Sequence, residues 1–304
     1  MVVTKDFVRT DMENSTLGNV ITADSSKALD VILLSGQSNA VGYSRWDGAD
    51  TCYEDVKMFR FGEGVVTESF VDTENLATAQ WEILKNGLGK NTMAFGPEMG
   101  IGQVFSGRYK TKDNDFGIIK YAYGGKGMWD YWLSPASVAQ RLGKWDGDIE
   151  YLEYNGGMTK CGKGFRYIIE TVREAVKKAI RQGYSNVNII GMCWMQGEHD
   201  MGIQSSAKVY DKLLENFIKD IREILAADNL PVAVGQAKLG PAMHYPYLKE
   251  INDMQKKVCD EDGYAVLVRT DDLGMQPDDQ AHYDTQSMKT LGLRFGNALA
   301  GLLG

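Results

Sequence analysis

The stretch Asp30-Val31-Ile32-Leu33-Leu34-Ser35-Gly36-Gln37-Ser38-Asn39-Ala40 sets the fold class. Four consecutive apolar residues, Val31 to Leu34, leave no polar face, so they suit a strand buried on both sides, as in a parallel sheet covered by helices. Gly36 closes the run, and the serine and asparagine after it favour the opening of a helix. Working outward, the same alternation recurs. Strands are expected at 56–61, 116–123, 186–194, 231–234 and 265–268. Helices are expected at 97–105, 164–181, 207–226, 247–259 and 285–303. The longest periodic pattern carries Phe165, Ile168, Ile169, Val172, Ala175, Val176 and Ile180 at i, i+3, i+4 spacing. Strands separated by helix-length segments require right-handed crossovers and a mostly parallel sheet with helices on both faces. An α/β three-layer α/β/α sandwich is the expected architecture.

Composition bounds what such a chain can do. With 304 residues, 43% of them hydrophobic, it can bury one large core. No linker or internal repeat divides it, so the expected organisation is a polar leader or edge segment at 1–27 and a single domain at 28–304. The net charge of −8 disfavours nucleic acid as a partner, because neutralising phosphates needs a basic face. No apolar stretch reaches the roughly 18–20 residues that span a bilayer. The first 27 residues lack the basic region and apolar core of a signal peptide, so a cytoplasmic protein or a mature secreted form is expected. Cys52, Cys161, Cys193 and Cys259 are scattered without a CxxC pair, which reads as free thiols or one bridge and not as a zinc site. Only three histidines are present: His199, His244 and His282.

In doubly wound sheets, sites collect beyond the carboxyl ends of the strands. Three strand ends and the approach to the last helix carry polar residues there. Ser38 follows the first strand, where helix N-terminal amides favour a developing negative charge, although serine and asparagine also serve simply as caps. Gly124-Gly125 ends the strand at 116–123, where a bare backbone lets an amide approach a ligand or merely turns the chain. Gln196-Gly197-Glu198-His199-Asp200 follows the strand at 186–194 and offers both donors and acceptors. Asp279 stands three residues before His282, a spacing at which a carboxylate can hold an imidazole in one tautomer, or cap a helix beside a surface histidine.

Together, Gly36-Gln37-Ser38-Asn39, Tyr123-Gly124-Gly125, Trp194-Met195-Gln196-Gly197-Glu198 and Asp279-Gln280-Ala281-His282 resemble the four signature blocks of the SGNH hydrolase superfamily. The similarity is to the branch containing acetylxylan esterases and sialate O-acetylesterases, and Phe95-Gly96-Pro97-Glu98-Met99 is similar to a segment common there. The resemblance spans about 30–303. It implies a flavodoxin-like central sheet and a serine esterase that removes acetyl groups from carbohydrate without metal or other cofactor.

Carried over by residue, it implies Ser38 as nucleophile, His282 as general base and Asp279 as its partner, with Glu198 an additional or alternative acid. The Ser38 amide, a Gly124 or Gly125 amide and the Gln196 side chain would form the oxyanion hole. Gln37, Asn39, Arg45, Lys126, Trp129 and Trp132 are the candidate substrate-binding residues, the tryptophans forming a sugar-stacking wall. Lys126 and His199 stand where the branch usually carries threonine or serine, and serine. A xylan-type oligosaccharide is the expected substrate and an O-acetyl sialic acid the alternative. Two rival readings are a metal-dependent hydrolase using His199, Asp200, Asp279 and His282, and a non-catalytic sugar-binding module in which Trp46, Trp129, Tyr131 and Trp132 stack on sugars.

Overall fold

The structure, a computed structural model, describes residues 27–46, 48, 51–67, 71–109, 113–144 and 149–304. The expected leader segment lies outside the described residues, apart from Lys27. In chain order the strands are β1 (Ala28–Gly36), β2 (Ser44–Arg45), β3 (Cys52–Gly62), β4 (Trp81–Lys85), β5 (Ala94–Phe95), β6 (Asp115–Ala122), β7 (Ile149–Tyr154), β8 (Gly157–Gly162), β9 (Asn186–Met195), β10 (Val232–Gly235) and β11 (Ala265–Val268). The helices are α1 (Ser38–Val41), α2 (Thr73–Leu76), α3 (Glu98–Tyr109), α4 (Pro135–Ala139), α5 (Lys163–Arg181), α6 (Gln204–Ala207), α7 (Tyr210–Ile224), α8 (Leu248–Glu261) and α9 (Thr285–Leu303).

The main sheet runs β11-β10-β9-β1-β6-β3-β4, parallel except for the β3–β4 pair. Counted along the chain, its five-strand run β6-β1-β9-β10-β11 has the order 2-1-3-4-5 of flavodoxin-like sheets, and β3 with β4 extends it beyond β6. The strand at the middle shows why both faces are covered. Leu29, Val31 and Leu33 alternate onto one face, where Phe165, Ile168 and Val172 of α5, Phe217 of α7 and Ile251 of α8 meet them. Ile32 and Leu34 point to the other, against Ile101 and Phe105 of α3 and Leu291 and Phe295 of α9. Period-two alternation between two apolar faces is the reason the run from Val31 to Leu34 has no polar member.

Registration across the sheet places Gly62, Ala122, Gly36, Met195, Gly235 and Val268 in one row. Every residue following that row therefore emerges at the same carboxyl edge. β1 is also where chain order reverses, its neighbours being reached by crossovers in opposite directions, and such a switch point opens a crevice. All four cysteines are free thiols. Among the described residues no helix is long and apolar enough to cross a membrane.

Candidate active site

Ser38 begins α1 two residues after the row. The turn before it is sharp: Gly36 has φ +137°, and a Cβ there would lie 1.9 Å from the Met195 carbonyl oxygen. Only glycine lets β1 and β9 approach this closely at their ends. Gln37 anchors the turn, its N–H donating to the Met195 carbonyl at 2.9 Å. As the first residue of a helix, Ser38 carries one of the amides that have no carbonyl of their own helix to bond.

Asn39 joins this turn to the C-terminal loop. Its Nδ2 donates to the Ala281 carbonyl at 3.2 Å, and its Oδ1 accepts the Tyr283 N–H at 3.3 Å. Both chain neighbours of His282 are thus bound to the residue beside Ser38. His282 Nδ1 lies 2.5 Å from Asp279 Oδ2. A carboxylate there requires the proton on Nδ1, which leaves Nε2 with a free lone pair. Burial works to raise the Asp279 carboxyl, but the His282 hydrogen bond and the Ala281 N–H outweigh it and hold it below the ordinary carboxylate range. Tyr43 packs its ring against His282, centroids 4.2 Å apart and planes 18° from parallel.

Glu198 is buried and takes a different place. Its Oε1 accepts from Asn39 Nδ2 at 2.8 Å, while its Oε2 has no hydrogen-bond partner. Burial pushes its carboxyl up to about 7. It is Asp279, not Glu198, that reaches the Nδ1 of His282.

Gly124 follows β6 beside Ser38; a Cβ on it would stand 3.3 Å from the Ser38 Cβ. Its N–H donates to Glu63 Oε2 at 2.7 Å. Gly125 is exposed and left-handed, with φ +65°. Two clefts of about 450 and 550 Å³ flank this group. Tyr43 and Lys90 line both; Arg45, Trp46, Asp278 and Asp279 belong to the first, Glu63, Tyr123 and Gly124 to the second.

Several expected contributors lie elsewhere. Gln196 is fully buried, its Nε2 bonded to Asp200 Oδ2 (2.5 Å) and the Lys126 carbonyl (3.1 Å) and its Oε1 to the Tyr210 hydroxyl (3.0 Å). This corrects the expectation of an outward amide donor. Asn39 is likewise fully buried and Gln37 nearly so, its Oε1 accepting from Gln196 and the His199 N–H. Trp132 is 0% exposed and packs edge-on against Trp194, so it cannot stack on a sugar. Tyr131 is buried beside it, and Trp129 is half-buried against the core. The two-tryptophan wall does not exist because the 128–133 segment supplies core, not rim.

Arg45 is exposed and paired with Asp278 at 2.7 Å. Lys126 holds its ammonium over the Tyr131 and Tyr123 rings, at 5.1 and 5.8 Å. Asp200 is buried and accepts from the Met128 N–H, Gln196 and Ser206, so the residues of the metal alternative do not converge. Among the described residues no cluster of three or more histidine, cysteine or acidic side chains could hold a metal ion.

Sequence pattern does not single out Tyr43, Glu63 or Lys90. Glu63 directly follows the last residue of β3, and that position is a signal that could reveal it; Tyr43 and Lys90 carry no such signal.

The sequence profile of the carbohydrate esterase, sialic acid-specific acetylesterase family matches residues 28–301. The chain belongs to that family. No curated protein matches the esterase in sequence. Among solved structures it is similar to a protein from Arabidopsis thaliana at TM-score 0.62 and 18% identity, covering 90% of this chain and 98% of that one. It is also similar to a carbohydrate acetylesterase from Xanthomonas citri, at TM-score 0.58 and 15% identity over 90% of this chain and 56% of that one. A third is NanS, at TM-score 0.54 and 13% identity over 92% and 98%. At these identities the likeness shows the fold: the α/β/α sandwich of SGNH-type esterases.

Proposed function

We propose that the esterase removes O-acetyl groups from carbohydrate through a Ser38–His282–Asp279 mechanism, with neutral, xylan-type oligosaccharides as its substrates. The observation that carries this reading is the pair of hydrogen bonds between Asn39 and the residues on either side of His282, one donated to the Ala281 carbonyl and one accepted from the Tyr283 N–H, which ties the imidazole loop to the serine turn. In the proposed reaction Ser38 Oγ attacks the acetyl carbonyl carbon while His282 Nε2 takes its proton. The carbonyl oxygen gains the charge and is held by backbone amides at Ser38 and Gly125, since the Gly124 amide is already bonded to Glu63. Collapse breaks the bond to the sugar oxygen, which leaves with the proton from His282. Water then attacks the acetyl group on Ser38, His282 again taking and returning the proton, and acetate departs.

The clefts support a neutral substrate. Arg45 and Lys90 in the first are matched by Asp278 and Asp279, and Lys90 in the second by Glu63. Trp46 offers the first cleft an aromatic side chain in place of the lost wall. The family's sialate description favours a second reading, in which Lys90 meets the carboxylate of an O-acetyl sialic acid. A serine-directed fluorophosphonate should label the wild type and not Ser38→Ala. Ser38→Ala and His282→Ala should each lower kcat by on the order of 10⁴-fold. A Ser38→Ala variant retaining a tenth of the activity would remove the nucleophile assignment. A wild type that bound acetylated sugars without turning them over would instead favour a binding module.

A further inference from the structure

Tyr43 touches three parts of the site. Its ring stacks on His282, and that contact fills one face. The other face is left for the Lys90 ammonium, 4.1 Å from the same ring centroid. Lys90 is seated there by its backbone, its N–H donating to the Gly42 carbonyl at 3.0 Å. The Tyr43 hydroxyl donates to Glu63 Oε1, and Glu63 Oε2 accepts from Gly124. Burial and the Glu63 hydrogen bond hold the phenol well above its ordinary range, so it is a donor at any working pH.

Asp279 fixes His282 at a single nitrogen. An imidazole held at one atom can still tilt about that bond, because its ring torsion is broad. A flat surface against the ring removes that freedom. We propose that Tyr43 is the positioning residue of the general base: its ring sets the plane of the His282 imidazole, and Glu63 locks the ring to the glycine turn beside Ser38. The proposal rests on the serine-esterase reading. It explains why a clamped aromatic side chain occupies the ridge between the two clefts, where a substrate contact alone would need no clamp.

The test compares Tyr43→Phe, Tyr43→Leu and Glu63→Ala with the wild type on an aryl acetate, alongside the rate of fluorophosphonate labelling. Tyr43→Phe keeps the stacked face but loses the hydroxyl bond to Glu63, so it should lower kcat by about 3–10-fold at most, as expected of Glu63→Ala. Tyr43→Leu should lose about 30–100-fold in kcat at unchanged KM, the scale of a reacting group displaced by about 1 Å, and labelling should slow in parallel. Glu63→Ala, at a half-buried position, should lower kcat by about 3–10-fold without raising KM. If Tyr43→Leu proves unfolded, Glu63→Ala carries the decision. A Tyr43→Leu variant with wild-type kcat, or with a defect confined to KM, overturns the proposal. So does a Glu63→Ala variant faster than wild type, because the carboxylate would then be blocking the Gly124 amide. Those outcomes leave the esterase reading intact. A wild type that neither turns over nor labels removes both.

Discussion

At the scale of the residue, the two carboxyls near Ser38 differ in environment and should differ in behaviour. Asp279 is partly exposed, bonded to His282 and held low, while Glu198 is buried with one oxygen unsatisfied and pushed up to about 7. For Glu198 the folded state keeps its proton to higher pH than the unfolded chain, whose carboxyl titrates near 4.5. The folded state then binds more protons across the interval, and stability falls as pH rises from about 4.5 to about 7. Glu198→Gln, neutral at every pH, should abolish that fall, worth about 3 kcal/mol across the interval. The amide carbonyl of such a variant still accepts from Asn39, so activity should change little. Denaturant midpoints at pH 5 and 8 check this, and a wild-type stability that stays flat between them would refute it. Asp279→Asn should instead strike kcat, through the wrong imidazole tautomer.

At the scale of the element, the ends of strands are held by groups that sequence pattern alone does not flag. Lys120 of β6 is buried, donates to the Val41 carbonyl at the end of α1 at 2.6 Å, and pairs with buried Glu98 at 3.0 Å. Glu98 in turn accepts from the Gly96 N–H at 2.7 Å, which joins the Phe95–Met99 segment to the serine turn. Lys120→Met should destabilise by about 3–5 kcal/mol, because it leaves Glu98 buried without its partner. Adding Glu98→Gln should recover most of the loss; a single variant costing under about 1 kcal/mol in chemical denaturation would contradict the argument.

Long, strongly patterned elements are legible in the sequence: β1, β9, α5 and α9 fall where periodicity puts them, and so does the short apolar run of β11. The β7–β8 hairpin is not, since its alternation is broken by Glu150, Glu153 and Lys160 on a largely exposed ribbon. The β4 strand escapes notice for the same reason, being an edge with Ile83 exposed. For the candidate site, motifs give the Asp279–His282 pair, whose spacing is local, and Ser38, which stands at the turn after β1. The burial of Trp132 depends on Trp194, far along the chain, and the inward turn of Gln196 on the Lys126 carbonyl, similarly distant in sequence; only packing decides them.

At the scale of the whole molecule, charge bears on which acetylated sugar is taken. The chain carries −8, and its two clefts, which share Lys90, together set Arg45 and Lys90 against Asp278, Asp279 and Glu63, so no field draws an anion to Ser38. A neutral oligosaccharide loses nothing under these conditions, whereas a sialate approaches a like-charged body whose reach is about 8 Å at physiological salt. The ratio of kcat/KM for an acetylated xylo-oligosaccharide to that for 9-O-acetyl sialic acid should therefore exceed one, by on the order of tenfold, the equivalent of ~1.4 kcal/mol. Added salt should narrow it by speeding only the anionic substrate. Lys90→Met should leave the neutral substrate's KM nearly unchanged. The opposite pattern is equally specific: a ratio below one, salt that slows the sialate, and a Lys90→Met variant that loses the sialate alone. That result would make the ammonium above Tyr43 a carboxylate receptor, and the cleft balance of Lys90 against Asp279 and Glu63 would be the wrong guide to the substrate.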